Sequence, residues 1–265
     1  MQTATTQDVG SVRAIDDRFM FRVFLAFAAM ALAAVLISFG GKTIGRSIAL
    51  AGHTEDTTLR EVVVGNDVIS VPSNAIRFER ERRTGVAAGL HLYLRWPEMS
   101  GYRTEFRDDF NHADGARNIV FLSFEPRMMS RDMSGRFEPI YRALIRHPGE
   151  PGPGGLSFHV FSEKSGYMNE ILAVGQTGAG EPFVARCLTG PVAAESLAEC
   201  ERDIFAGDDL SLTYRFPASL LGDWRRLEAA IRQYVATVVQ TDARYLQAGD
   251  RLGQRSMSRI AIEKL

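Results

Sequence analysis

The sequence predicts an α+β protein: an N-terminal single transmembrane helix, then one mostly antiparallel β domain with a long C-terminal amphipathic helix packed on its sheet. Three observations carry that expectation. Val23 to Gly41 is an uncharged run, VFLAFAAMALAAVLISFGG. Between Leu59 and Phe216, several short runs alternate apolar with polar residues, the period-2 pattern of half-buried strands. From Leu220 the apolar period lengthens to three or four residues, the pattern of an amphipathic helix.

Residues 1–19 are polar and read as a short cytoplasmic tail. Residues 20–41 read as the transmembrane helix. A bilayer core about 30 Å thick needs roughly 20 apolar residues at about 1.5 Å each, and Ser38 is the run's one polar side chain. An interfacial helix would need a charged face, and a buried core helix is usually shorter, with one wet stripe. Arg13, Arg18 and Arg22 precede the run, while Lys42 and Arg46 follow it. That bias puts the N-terminus in the cytoplasm. Cleavage after Ala51, in Ala49-Leu50-Ala51, is the rival reading. A long N-terminal segment carrying Asp8, Asp16 and Asp17 favours an uncleaved signal-anchor instead. The expected location is the bacterial inner membrane, single-pass, with the N-terminus cytoplasmic, the C-terminal domain periplasmic and the lipid bilayer as partner of residues 20–41.

Residues 42–58, with Gly45, Ser47, Gly52 and Thr54, read as a stalk, and residues 59–246 as the folded periplasmic domain. Glu61–Val64 and Asp67–Val71 flank Gly65-Asn66, a β-hairpin signature. Gly89–Trp96 alternates cleanly, and Asn118–Phe124 is apolar on both faces, as a central strand would be. Phe137, Ile140, Tyr141, Leu144 and Ile145 recur at helical spacing, predicting a helix from Phe137 to Arg146. Pro148–Gly155 reads as a long surface loop within one domain. Strands are expected at Leu156–Phe161, Asn169–Val174, Pro182–Leu188, Glu199–Phe205 and Asp209–Phe216. Ser219 is the candidate N-cap of a helix of about five turns carrying Leu220, Trp224, Leu227, Ile231 and Val238 inward. Residues 247–265 form a polar C-terminal tail.

Composition excludes more than it assigns. A formal net charge of −1 over 265 residues gives no electrostatic footprint for nucleic acid. Arg77, Arg80, Arg82 and Arg83 interleave with Glu79 and Glu81 and read as a solvated strand end or loop. The two cysteines, Cys187 and Cys200, would form a disulfide in an exported domain; two separate buried thiols is the other reading. No second Cys pair or nearby His supplies a zinc site, and no metal or cofactor is expected.

Candidate sites are sparse. Asp108, Asp109, His112 and Asp114 form the densest cluster of ligand-type residues. The calcium-loop pattern fails from Asp109, because the acid and glycine fall one place late, at Asp114 and Gly115, so turn chemistry explains the cluster. Tyr93, Trp96 and Tyr102 gather around Pro97 and Gly101 and make a candidate binding surface; the other reading, which the sequence favours, is that Trp96 caps the core at a strand end. His91 lies within a strand. No nucleophile–base motif is present, so no catalytic residue is assigned.

The segments VPSNAIRF (Val71–Phe78), HLYLRWPEMSGY (His91–Tyr102) and FVARCL…C…LTYRF (Phe183–Phe216) resemble segments of uncharacterised single-pass, membrane-anchored periplasmic proteins of Gram-negative bacteria. The resemblance implies an envelope protein with a disulfide and brings no catalytic residues or substrate. The expected function is a structural or interaction role, a binding module in the envelope, with another envelope protein or a glycan as partner. The alternative is a membrane-tethered envelope enzyme, such as a hydrolase acting on cell-wall or lipid material. A deep polar pocket joining His91 or His112 to an acid would favour the enzyme; a shallow, aromatic-lined face would favour binding.

Overall fold

The structure, a computed structural model, describes residues 18, 21–22, 24–35, 52–115, 117–178 and 180–240. The chain divides into two units, Met1–Ala51 and Gly52–Leu265. In the first, residues 18, 21–22 and 24–35 are helical. Among the described residues, no helix is long and apolar enough to cross a membrane. The expected transmembrane helix at 20–41 is therefore corrected. With it go the signal-anchor, the bilayer as a partner, and the single-pass placement in the inner membrane with a periplasmic domain. Residues 36–41, the expected stalk over 42–51 and the expected tail at 247–265 lie outside the described residues, as do 1–17.

The second unit is a mixed α/β fold with two sheets, and the expectation of one sheet is corrected as well. Strands β1 (Leu59–Val64) and β2 (Asp67–Pro72) form the hairpin, with Val64 opposite Asp67. Gly65 turns the chain at φ +59°, where a side chain would be strained. Strand β3 (Gly85–Val86) runs parallel to β1. Strands β4 (Leu90–Arg95), β5 (Ile119–Pro126), β6 (Glu150–Pro151), β7 (Ser157–Val160), β8 (Glu170–Gly175) and β9 (Phe183–Leu188) follow. A short helix α1 (Gly190–Glu195) leads to β10 (Cys200–Ala206) and β11 (Leu210–Phe216). The chain ends its described course in helix α2 (Trp224–Val238) and strand β12 (Val239–Gln240).

The smaller sheet is ordered β12-β2-β1-β3, and the eight-stranded sheet β4-β5-β11-β10-β9-β8-β7-β6. The eight-stranded sheet is antiparallel throughout. Its twofold alternation sends Leu90, Leu92, Leu94, Leu122, Phe124, Leu212, Phe216 and Phe183 to one face. There they pack with Leu227, Ile231 and Val235 of α2 and with Val62, Ile69 and Val71 of the smaller sheet. Burying this apolar surface, at roughly 25 cal/mol per Å², is what holds α2 against the sheet.

Two helical expectations change in detail. Ser219 does not cap α2. It lies in the 3-10 turn Ala218–Asp223, and α2 begins at Trp224 without a side-chain capping bond, running 15 residues. The expected helix at Phe137–Arg146 is a π-helical turn, Phe137–Tyr141, continued by Arg142–Leu144 and ending where Ile145 becomes extended. Ile145 then bridges Phe161, and Met133, Tyr141, Ile145, Phe161, Leu172, Val174 and Val184 form a second core. Packing onto the outer face of β7–β9 has overridden the local helical period.

Candidate functional site

The second face of the eight-stranded sheet carries the polar half of each alternation: His91, Tyr93, Phe121, Ser123, Thr213, Arg215, Glu201, Arg186 and Glu170. It is covered at both ends. Over β7–β9 lies the second core. Over β4 lies an aromatic cluster in which His53 stacks on Tyr102 at 4.6 Å and Phe110 meets Tyr93 edge-on at 5.0 Å. Between the two covers, β5, β11, β10 and β9 leave an open strip.

Register aligns one row of side chains across that strip. Arg186 stands opposite Glu201, Glu201 opposite Arg215, Arg215 opposite Phe121, and Phe121 opposite Tyr93. Glu201 lies between two arginines but pairs with Arg186, at 2.7 Å. Arg186 also meets Glu170 at 3.4 Å. Arg215 donates instead to Ser196 Oγ (3.3 Å) and the Ala198 carbonyl (3.0 Å) in the loop between β9 and β10. Arg77 reaches the same place from the edge. Ile76 bridges Leu92, and the Arg77 amide donates to the His91 carbonyl at 2.9 Å. Its guanidinium lies over the Phe121 ring, 4.8 Å from the centroid, within cation–π range.

Among the described residues, neither Arg77 nor Arg215 has a carboxylate within ion-pair distance; both are exposed. Partial burial pulls the Arg77 guanidinium below its ordinary range, and the neighbouring Arg215 charge adds to that. Two hollows meet at these residues. One, of about 380 Å³, is lined by Arg77, His91, Phe121, Ser123, Glu201 and Arg215 among others. The other, about 250 Å³, adds Ser196, Leu197 and Ala198. Arg186 is held charged despite its burial by Glu170 and Glu201, so the far end of the row sets two carboxylates against one guanidinium.

The sequence-predicted site residues lie elsewhere. Tyr93, Trp96 and Tyr102 are 3%, 8% and 1% exposed, so they are buried packing rather than a surface. Burial pushes the Tyr93 hydroxyl up to about 12. Asp109 pairs with Arg95 at 2.6 Å and accepts from Asn118 at 3.0 Å; burial raises its carboxyl, but these bonds hold it below the usual range. Asp108 is exposed beside Arg107. His112 sits at φ +53°, its ring 6.2 Å from Phe121. The side chain of Asp114 lies outside the described residues. Among the described residues, no group of three or more His, Cys, Asp or Glu gathers to hold a metal. Cys187 and Cys200 are disulfide-bonded across β9 and β10.

Sequence reasoning passed over Arg77, Phe121 and Arg215. Each left a trace: Arg77 in the basic run, Phe121 as an apolar residue on the polar side of its strand, and Arg215 as an outward position in LTYRF. Only the strand order brings the three together.

No protein-family model matches the chain, and no curated protein matches it. The resemblance to single-pass Gram-negative envelope proteins thus has no family match behind it. Among solved structures, Smlt3025, an immunity protein of the Stenotrophomonas maltophilia type IV secretion system, is similar at TM-score 0.47 and 15% identity. The match covers 72% of this chain and 96% of that one. FrpD, the iron-regulated outer membrane lipoprotein of Neisseria meningitidis, is similar at TM-score 0.41 and 8% identity, over 70% of this chain and 98% of that one. Both likenesses are too distant to carry a function across.

Proposed function

We propose that this chain is a protein-binding module whose binding surface is the open strip of the eight-stranded sheet. One observation carries the reading. Arg77 and Arg215, two exposed cations, are held together around Phe121 with no carboxylate of their own among the described residues. Like charges brought together on a surface repel, and an incoming partner relieves that repulsion while covering the Phe121 ring. Arginine and aromatic residues are also what protein interfaces favour at their centres.

The enzyme alternative has one feature in its favour. His91 Nδ1 lies 3.0 Å from Glu81 Oε1, and Ser123 stands opposite His91 on β5. The Ser123 hydroxyl, however, donates to Glu125 at 3.5 Å rather than to the imidazole, and a nucleophile needs its base at about 2.6–3.2 Å. The hollow is also an open depression on a sheet face, not an enclosed pocket that excludes water.

Ser123 and Thr213 face each other on the floor of the strip. A variant carrying Ser123→Trp and Thr213→Trp fills the strip without entering either core. It is expected to keep the wild-type melting temperature and to lose a partner that co-purifies with the wild-type chain from its native cells. Retention of the same partner by both proteins, or no partner with the wild type, overturns the reading.

A further inference from the structure

We propose that Arg77, Phe121 and Arg215 form an anion subsite on this strip that takes a carboxylate side chain from an acidic segment of the partner protein. The proposal rests on the binding-module reading and names the chemistry of what is bound.

Three observations support it. The first is the local charge balance. In the row Arg186–Glu201–Arg215, the single carboxylate is committed to Arg186 at 2.7 Å, and among the described residues Arg215 hydrogen-bonds to the Ser196 hydroxyl and the Ala198 carbonyl instead. Arg77 is stacked on Phe121 and Phe78, at 4.8 and 5.1 Å from their centroids, so it too is positioned without an ion pair among the described residues. The second is geometry. A guanidinium offers a planar fork of donors that matches a carboxylate, and both guanidiniums border the same hollow of about 250 Å³, room for one acidic side chain and its backbone rather than for a folded domain. The third selects carboxylate over phosphate. Glu125 and Glu201 line the adjoining hollow, and Glu81, which raises the Arg77 guanidinium, stands close by. Ligand charge scales the attraction to the arginines and the repulsion from these carboxylates alike, so the choice falls to Phe121. Phe121 adds an apolar floor that packs the methylenes of a glutamate.

The test is an NMR titration of the isotope-labelled full chain with N-acetyl-tetraglutamate amide. N-acetyl-tetraglutamine amide and inorganic phosphate serve as separate probes. Saturable shifts are expected around Phe121, Ser196 and Arg215 with the glutamate peptide alone. Affinity should fall at least about tenfold in Arg77→Gln and in Arg215→Gln, stay within a few-fold of wild type in Arg215→Lys, and weaken with added salt. Absence of saturable shifts on the strip, unchanged affinity in both glutamine variants, or tighter binding of phosphate than of peptide overturns the carboxylate assignment. If the peptide fails while Ser123→Trp with Thr213→Trp still releases the native partner, the binding-module reading stands and only the subsite falls. If the partner is also indifferent to the tryptophans, both fall.

Discussion

Asp67 shows how much one buried side chain can organise. It is fully buried, and its carboxylate accepts from the amides of Asp208 and Asp209, each at 3.1 Å. In this way the hairpin of the small sheet clamps the β10–β11 turn of the large one. Gly207 in that turn has φ +57°, and a Cβ there would sit 2.3 Å from an Asp67 oxygen. Asp67→Ala is expected to destabilise by on the order of 1–3 kcal/mol for each amide left unpaired, and Gly207→Ala to lower the melting temperature as well. Thermal melts of both variants check this; an unchanged melting temperature in Asp67→Ala would remove the clamp. His53 gives a pH dependence. Its Nε2 donates to Asn111 Oδ1 and its Nδ1 accepts from the Tyr93 hydroxyl, both at 3.1 Å, so the ring is held neutral. Burial lowers its pKa, with the Arg82 and His112 charges pulling the same way and the Asn111 bond opposing. As pH falls below about 6.5, the unfolded chain takes up the proton first. The stability is full above that value and is lost as pH falls toward the lowered folded value. His53→Gln should flatten the melting-temperature profile between about pH 7 and 5; parallel profiles would show that His53 does not carry the effect.

At the scale of elements, α2 is fastened to the sheet by apolar packing and by one buried charge network. Arg202, 3% exposed, pairs with Glu228 at 3.1 Å and donates to Ser134 Oγ and the Val184 carbonyl, while the Tyr214 hydroxyl donates to Glu228. Burial raises the Glu228 carboxyl, but Arg202 and the Tyr214 bond hold it below its ordinary range. Removing one member leaves the other charge unpaired, so Glu228→Leu should cost about 3–5 kcal/mol. The double variant Glu228→Leu with Arg202→Met should recover part of that. Urea unfolding of the two would decide it, and a double variant no better than the single would place the cost in packing instead. The Cys187–Cys200 disulfide closes a short loop between directly opposed strands and is expected to contribute about 3 kcal/mol in the chain-entropy model, read as a drop in melting temperature on reduction.

For the whole molecule, what could be read in advance was local. The hairpin at Gly65, the alternation of β4 and β11, and the stripe of α2 each announce themselves within about ten residues, because a strand's period or a turn's backbone needs no distant partner. Strand order does not. Val239 pairs with Ile69, a contact across the entire domain that draws β1 and β2 into a separate sheet, and nothing in either segment names the other. The same limit hid the strip. Glu201 could have neutralised Arg215 as readily as Arg186, and only the folded register, with Arg186 at 2.7 Å, leaves Arg215 without it. Tyr93 and Tyr102 misled for the opposite reason: aromatics beside a turn look available until His53 and Phe110 close over them. The uncharged run at 23–41 was legible as composition, while among the described residues no helix is long and apolar enough to cross a membrane. The most direct measurement is site-specific photo-crosslinking in native cells, with the reactive residue placed in the full chain at Thr213 or at Gln233. Gln233 is exposed on α2, on the far side of the sheet. A discrete protein adduct from Thr213 and none from Gln233 is the expected result; the same adduct from both positions, or from Gln233 alone, would contradict the strip as the binding surface.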